Sequence, residues 1–283
     1  MWIAATLYAI PLVWMAAVSI RPAAQAAAAG VNPLPSLPEG DPAPKWSVAY
    51  WSALAGQSSE NYSGVWNSPA ADFPTYFRNT LMVGVLSVLG MTLASAVAAY
   101  GFSRLRWPGR DGVFVLVLLT LMIPQAVLMS PQYLLFKKMG LIGTMLPLWL
   151  PAWFGGAFSI FLLRQFFMTI PRELEEAARI DGCSHWGTFL RIILPLSRPA
   201  LLVVALMQAV ATWNDFLGPL LYLNREEQYT LSLGLQMFQS QHGGTPWNLV
   251  MAASVIVVAP VLVLYVAARR FFVGGVGAGG VKE

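Results

Sequence analysis

Residues 171–195 read PRELEEAARIDGCSHWGTFLRIILP, a charged, helix-forming insert between two long apolar runs. Pro171 suits the first position of a helix, where a missing N–H costs nothing, and Glu173 follows in the first turn, where negative charge complements the helix dipole. Within the helix predicted there, Leu174, Ala177 and Ala178 share one face. Arg172, Glu175, Glu176 and Arg179 share the other, with Glu175 four residues before Arg179, the spacing of a favourable ion pair. Gly182 supplies the left-handed conformation that ends a helix, and Ser184 caps a second one running through Trp186 and Phe189 to Ile193. The stretch predicts a helix-turn-helix lying outside the bilayer, where a membrane protein meets a soluble partner.

Composition sets the class around that insert. Of 283 residues 57% are hydrophobic and only 11% charged, outside the range of ordinary soluble domains. The apolar runs are long and continuous rather than short and alternating, which points to helices and not a barrel. At about 1.5 Å per residue, a hydrocarbon core of about 30 Å needs about 20 residues. Six spans are predicted, at 1–20, 77–102, 113–134, 145–167, 199–223 and 249–272. The fold class read from the sequence is an all-α integral membrane protein, one transmembrane domain over 1–283, with an outer loop at 21–76 and the helix-turn-helix loop at 168–198.

With both ends inside, eleven of the 17 Lys and Arg residues fall on the inner side, among them Arg104, Arg106, Arg110, Arg172, Arg179 and Arg191. That bias places the helix-turn-helix and both termini in the cytoplasm. No basic run with interleaved aromatics suggests nucleic acid. The first span has a competing reading. It lacks a basic n-region, yet Ala23-Ala24-Gln25-Ala26-Ala27 resembles a small-residue cleavage site. Retention is favoured, because the run is long enough to span and Arg21-Pro22 ends it abruptly; a start further upstream is the other alternative. The outer loop is rich in Pro, Ala, Gly and Ser. It is read either as loosely ordered or as carrying an interfacial helix at 46–54, and its Asn61-Tyr62-Ser63 triplet is a weak match to a glycosylation acceptor.

Cys183 is the only cysteine, so an intramolecular disulfide or multi-cysteine metal site is excluded. Its neighbour His185 has no second histidine at hand, since the other, His242, is predicted on the opposite side of the membrane. None of the four lysines lies in the Gly-x-x-x-x-Gly-Lys-Ser/Thr run that cradles phosphates, and the glycine cluster 274–280 lacks the lysine and following helix that a P-loop needs. A nucleotide that drives this protein is therefore expected to bind another chain.

Glu176-Ala177-Ala178, then Gly182, then Ile192-x-Leu194-Pro195, reproduce at seven positions the spacing of the EAA loop in permease subunits of ABC importers. Further matches follow in order. They are Tyr76-Phe77-Arg78-Asn79-Thr80, Ala98-Ala99-Tyr100, Arg104-Leu105-Arg106-Trp107-Pro108-Gly109-Arg110, Trp213-Asn214-Asp215-Phe216, and the tail Phe272-x-x-Gly275-x-x-x-Gly279-x-x-Lys282. The chain resembles, over nearly its whole length, a permease subunit of the carbohydrate-uptake ABC importers, similar to the maltose and glycerol-phosphate systems. Cys183 departs from the family's usual alanine, and Glu283 from its usual terminal glycine.

The resemblance implies a bacterial cell-membrane location and four kinds of neighbour: a second permease subunit, two ATPase subunits, an extracytoplasmic solute-binding protein and membrane lipid. It implies no cofactor on this chain, with ATP and Mg held by the partner ATPase. It implies that Glu176, Ala177, Ala178, Asp181, Gly182, Ile192, Leu194 and Pro195 form the coupling loop that docks in a cleft of the ATPase. The chemistry of these residues fits, because small alanines permit close approach and Glu176 can meet a basic residue across the joint.

Asp215 is the only acidic residue within the predicted spans, about 24 Å along the fifth at about 1.5 Å per residue. Either it is solvated near the outer edge, or Asn214 and Asp215 line the translocation path, offering donors and acceptors to sugar hydroxyls, with Trp213 free to stack on a ring. Pro124 is placed to kink the third span, and Gly84, Gly90, Gly155 and Gly156 to let helices pack closely. A membrane-embedded enzyme or an ion-coupled carrier needs clustered buried ionisable groups, which this chain lacks.

Overall fold

The computed structural model describes residues 2–27, 47–69, 71–241 and 246–276. The described regular structure is helical throughout. In chain order it runs α1 (Trp2–Ser19), α2 (Ala23–Ala27), α3 (Val48–Trp66), α4 (Phe73–Ser103), α5 (Arg110–Leu119), α6 (Gln125–Lys138), α7 (Leu146–Trp149), α8 (Ala157–Thr169), α9 (Glu173–Ile180), α10 (His185–Thr188), α11 (Leu194–Leu196), α12 (Arg198–Trp213), α13 (Leu217–Tyr222), α14 (Leu231–Gln241) and α15 (Trp247–Val276). A π-helical turn, Phe189–Ile193, joins α10 to α11.

Among the described residues three stretches are long and apolar enough to cross a membrane: Phe73–Ser103, Leu146–Thr169 and Trp247–Ala267. Two bent pairs raise that to five if each is one span. Two of the six predicted spans are broken, the third at the proline expected to kink it. The predicted third span, 113–134, breaks by 101° between Met122 and Gln125. Pro124 cannot donate a backbone hydrogen bond and forces Ile123 before it into extended geometry, φ −86° and ψ 116°, so the helix ends and restarts. The predicted fifth span, 199–223, ends its helix at Trp213 and resumes only at Leu217, while its inner end bends by 77° from the preceding helix. Helix α1 covers 18 residues, Trp2–Ser19, of the first predicted span.

The outer loop carries the helix that one of its two readings placed at 46–54, but a longer one: α3 occupies 19 residues of it. Ser47 caps that helix by accepting from the Tyr50 N–H at 3.1 Å. Tyr50, Leu54, Asn61 and Val65 recur at helical spacing and are buried. The Ala, Ser and Gly between them dilute the mean hydropathy without breaking that stripe. Of the predicted interfacial stretch, Trp46 lies outside the described residues.

The chain divides into two compact units. The first comprises residues 1–79 and 229–266. Its polar centre is Asn61, whose Nδ2 donates to the carbonyls of Ser19 (2.9 Å) and Arg21 (2.8 Å) and whose Oδ1 accepts from Asn248 (2.9 Å). A buried amide with these bonds made leaves no room for a glycan, so the Asn61-Tyr62-Ser63 match is structural rather than an acceptor site. Asn79 of the second-span motif likewise donates to the Tyr229 carbonyl at 3.0 Å.

The second unit comprises residues 80–228 and 267–283 and carries both candidate sites. Its core packs Ala96, Ala99 and Tyr100 of α4 against Leu163, Phe167 and Ile170 at the end of α8, Phe189 and Ile193 of the π turn, and Ala200 and Val204 of α12. Glycine makes the closest approaches there. A Cβ on Gly90 would run into the Trp153 ring, and Gly155 takes φ 78° beside Ser95, whose Oγ accepts from the Gly156 N–H at 3.2 Å.

Candidate functional site: a charged two-helix loop and a polar cavity

The loop after α8 is assembled by local chemistry. Helix α9 has three acidic residues, Glu173, Glu175 and Glu176, in its first turn and Arg179 in its last, which suits the dipole at both ends. It closes in a Schellman motif: the Gly182 N–H donates to the Arg179 carbonyl (3.0 Å) and the Cys183 N–H to the Ala178 carbonyl (2.8 Å). The motif needs a left-handed residue, and Gly182 provides it at φ 83°. Ser184 then caps α10, its Oγ accepting from the Gly187 N–H at 3.1 Å.

These elements sort the motif residues. Glu176, Ala177, Asp181 and Gly182 are exposed, and so is Pro195. Ala178 is buried, Ile192 half-buried, and Leu194 packs on the core of the second unit. Around the exposed motif residues stand large apolar side chains that sequence inspection did not single out as a surface. Ile180 is 87% exposed, with Trp186 and Leu190 also exposed. For Ile180 the signal was positional, since it ends the charge-rich α9.

Glu175 is where the sequence reading fails. It does not stand on the solvent face paired with Arg179. It is buried, and its carboxylate meets Arg104 Nη1 at 2.8 Å. The same guanidinium donates through Nη2 to the Ile170 carbonyl at 2.7 Å and to the Phe167 carbonyl, both at the end of α8. Burial pulls the Arg104 pKa below its usual value, while the Glu175 charge acts to raise it. Arg179 instead approaches His185 Nδ1 at 3.4 Å. Beside the pair opens a cavity of about 600 Å³, lined by Arg104, Arg106, Arg172, Arg179, Glu176 and His185.

A second cavity, about 580 Å³, lies among Met91 of α4, Gln125, Met129 and Gln132 of α6, Gln208 and Thr212 of α12, and the break that follows α12. Asp215 forms that break, its Oδ1 accepting from the Gly218 N–H at 3.0 Å. A Cβ on Gly218 would collide with the Asp215 carboxylate, so glycine is required for the close approach. Asp215 is the one charged side chain in the lining, which has no Lys, Arg or His. Polar neighbours pair within it: Gln208 donates to Thr212 at 3.0 Å, and Gln125 to Gln132 at 3.4 Å.

Of the three residues expected along the path, the structure brings only Asp215 to this cavity. Trp213 is half-buried and outside the lining, and Asn214 is exposed, with its Nδ2 turned back on the Val210 carbonyl at 2.8 Å. Sequence inspection missed the three glutamines and Thr212. Among the described residues no group of three or more His, Cys, Asp or Glu side chains is placed to hold a metal ion. His242 and the tail residues Gly279 and Lys282 lie outside the described residues.

An all-helical domain with apolar spans broken at proline and at Asp215, a polar cavity between them, and a charged two-helix loop with exposed apolar side chains defines a membrane transport component. The chain belongs to the family described as binding-protein-dependent transport system inner membrane component, whose model matches residues 87–276. It is 36% identical over 208 residues to the arabinooligosaccharides transport system permease protein AraQ of Halalkalibacterium halodurans, covering 74% of each chain. It is 36% identical over 225 residues to the trehalose/maltose transport system permease protein MalG of Thermococcus litoralis, covering 79% of this chain and 81% of that one. Its fold is similar to that of a bacterial ABC transporter involved in the import of the acidic polysaccharide alginate, with a TM-score of 0.79, 23% identity, and coverage of 95% of this chain and 92% of that one. It is thus a permease component of an ABC importer rather than an enzyme, and ATP hydrolysis in such importers resides in separate subunits.

Proposed function

We propose that the chain pairs with a second, related permease subunit, forms half of the translocation path for a neutral sugar or oligosaccharide, and docks a cytoplasmic ATPase on its α9–α10 loop. An extracytoplasmic binding protein delivers the solute, and two ATPase subunits drive the cycle. The loop and both termini face the cytoplasm, in keeping with the basic residues on that side.

The observation that carries the docking assignment is the loop's surface. Ile180, Trp186 and Leu190 stand exposed around the charge-rich α9 and the turn after it, which carry Glu176, Ala177, Asp181 and Gly182. Large apolar residues rimmed by charges on such an element fit a protein partner. Of the motif's other members, Ala178 is buried and Leu194 packs on the core of the second unit. ATP and Mg belong to the partner.

The sugar reading draws on the cavity. Three amides, a hydroxyl and one carboxylate offer donors and acceptors for sugar hydroxyls, and the absence of a basic group in the lining disfavours an anionic solute. The named substrates of the AraQ and MalG relatives are neutral oligosaccharides and disaccharides, in line with that lining. The test is affinity purification of the tagged chain from native membranes in mild detergent, followed by uptake assays with arabinotriose, maltose, trehalose and an alginate oligosaccharide. Recovery of an ATPase and a second permease, with uptake of a neutral sugar, is the expected result. A chain recovered without partners in several detergents contradicts the assembly, and preferential uptake of the alginate oligosaccharide contradicts the substrate class.

A further inference from the structure

We propose that Arg104 is a positioning residue that transmits movement of α9 to α4 and α8. The proposal rests on the reading of α9 as the ATPase-docking helix. Arg104 follows the last residue of α4, Ser103, so its backbone moves with that helix. Its guanidinium reaches the two other elements at once. It pairs with Glu175 of α9 at 2.8 Å and donates to the carbonyls of Phe167 and Ile170 at the end of α8. Those carbonyls lie at the partially negative C-terminal end of α8, where the Phe167 carbonyl also accepts from the Ile170 N–H at 3.1 Å, and a planar cation suits them and the carboxylate together.

Only 3% of the Arg104 side chain and 7% of the Glu175 side chain are accessible, so the pair is largely withdrawn from solvent. A second link runs parallel to it: Tyr100 of α4 donates to the His185 carbonyl of α10 at 3.2 Å, and its ring lies 4.9 Å from that of Phe189. The nearby arginines do not duplicate the joint. Arg110 is engaged with the exposed Asp111 at 2.9 Å, and Arg106 is exposed. A buried ion pair is seldom the most stable choice for a packed site, since apolar residues of similar volume often serve as well. Its directional bonds from the end of α4 to two other elements do what apolar contacts cannot: they fix α9 in one orientation on α4 and α8.

The experiment uses the importer assembled with its ATPase subunits, in a Cys183→Ser background, with spin labels at Glu173→Cys on α9 and Val97→Cys on α4. Interspin distances are recorded with and without Mg–ATP. With Arg104 and Glu175 intact, the α9–α4 distance is expected to stay fixed on adding Mg–ATP, because the two elements move together. In the volume-matched pair Arg104→Met/Glu175→Met, with the ATPase still co-purifying, the distance is expected to shift or broaden on Mg–ATP. A distance that stays fixed in that pair overturns the transmission role and leaves the ion pair a packing feature. If the double variant does not assemble, Glu175→Gln, which keeps a hydrogen-bonding oxygen, takes its place under the same criteria. Glu176→Arg and Gly182→Asp serve as controls for the docking reading. Undiminished ATPase recovery with both would overturn that reading and the transmission role with it, whereas their failure to recover ATPase beside a fixed distance in the Met pair overturns transmission alone.

Discussion

Replacing Gly182 by aspartate separates the loop's fold from its contact with a partner. Gly182 sits at φ 83°, and a Cβ built there meets nothing within 4 Å, so the substitution costs no steric repacking within the chain. What remains is the left-handed backbone. That costs a typical non-glycine residue about 1–2 kcal/mol, and Asn and Asp less, because their short polar side chains bond locally. Against a domain stability of about 5–15 kcal/mol the loop should still fold and the chain insert. The new charge instead projects outward between Asp181 and Ser184, into the surface assigned to the ATPase. A penalty there of about 1.4 kcal/mol is a tenfold loss of affinity. The assay compares Gly182→Asp with Gly182→Asn, which shares its shape and backbone tolerance, by membrane abundance, ATPase co-purification and sugar uptake. Both are expected at normal abundance, with Gly182→Asp losing at least about tenfold in ATPase recovery and uptake, and Gly182→Asn losing less. Normal uptake and ATPase recovery by Gly182→Asp would refute the reasoning.

Ser184→Ala removes the cap on the Gly187 N–H and is expected to cost about 1 kcal/mol locally, seen as faster hydrogen exchange at the amides of α10; unchanged exchange there would show that the cap contributes little. Gly90→Ala drives a methyl group into the Trp153 ring and should lower the thermal midpoint in detergent, at an overpacking cost of about 1–3 kcal/mol. Asp215→Asn keeps an oxygen for the Gly218 N–H but removes the charge. It should leave the fold intact and raise the KM for uptake about fivefold, the ratio between hydrogen bonds to charged and to neutral groups. An unchanged KM across sugar concentrations would assign Asp215 to holding the helix break alone. Asn61→Leu strands the carbonyls of Ser19 and Arg21 and the amide of Asn248, so unfolding of the first unit should become easier by at least about 1–3 kcal/mol, read by thermal denaturation.

The local signals in the sequence were the ones that read true. Pro124 breaks the third span where a kink was expected, Gly182 and Ser184 need only their immediate neighbours, and all three do in the structure what their chemistry predicts. Glu175 was misread because helical periodicity in an eight-residue, charge-rich helix assigns every charge to solvent. Its true partner, Arg104, lies on another element, where no periodicity connects them. Helix α3 was foreseen only at its start, as one of two readings of 46–54, for the converse reason: its buried stripe of Tyr50, Leu54, Asn61 and Val65 is regular, but small and polar residues between them hide the rest from a hydropathy average.

The cavity was partly legible. A search for intramembrane charge finds Asp215 and overlooks neutral amides, although Gln125 and Gln132, seven apart, and Gln208 and Thr212, four apart, have the spacing that puts side chains on one helix face. Trp213 and Asn214 were grouped with Asp215 on the assumption of one continuous helix. The chain breaks at those residues instead, and the break turns Asn214 back on α12.

The assignment of α9 as the docking helix stands or falls on what touches it in the membrane. A photo-reactive amino acid placed at Ile180, which is 87% exposed and no part of the core, tests this in intact cells. The expected product is a single adduct with an ATPase subunit, lost when Gly182→Asp is combined with it. Efficient cross-linking to lipid or to an unrelated protein, with no ATPase adduct, would contradict the assignment.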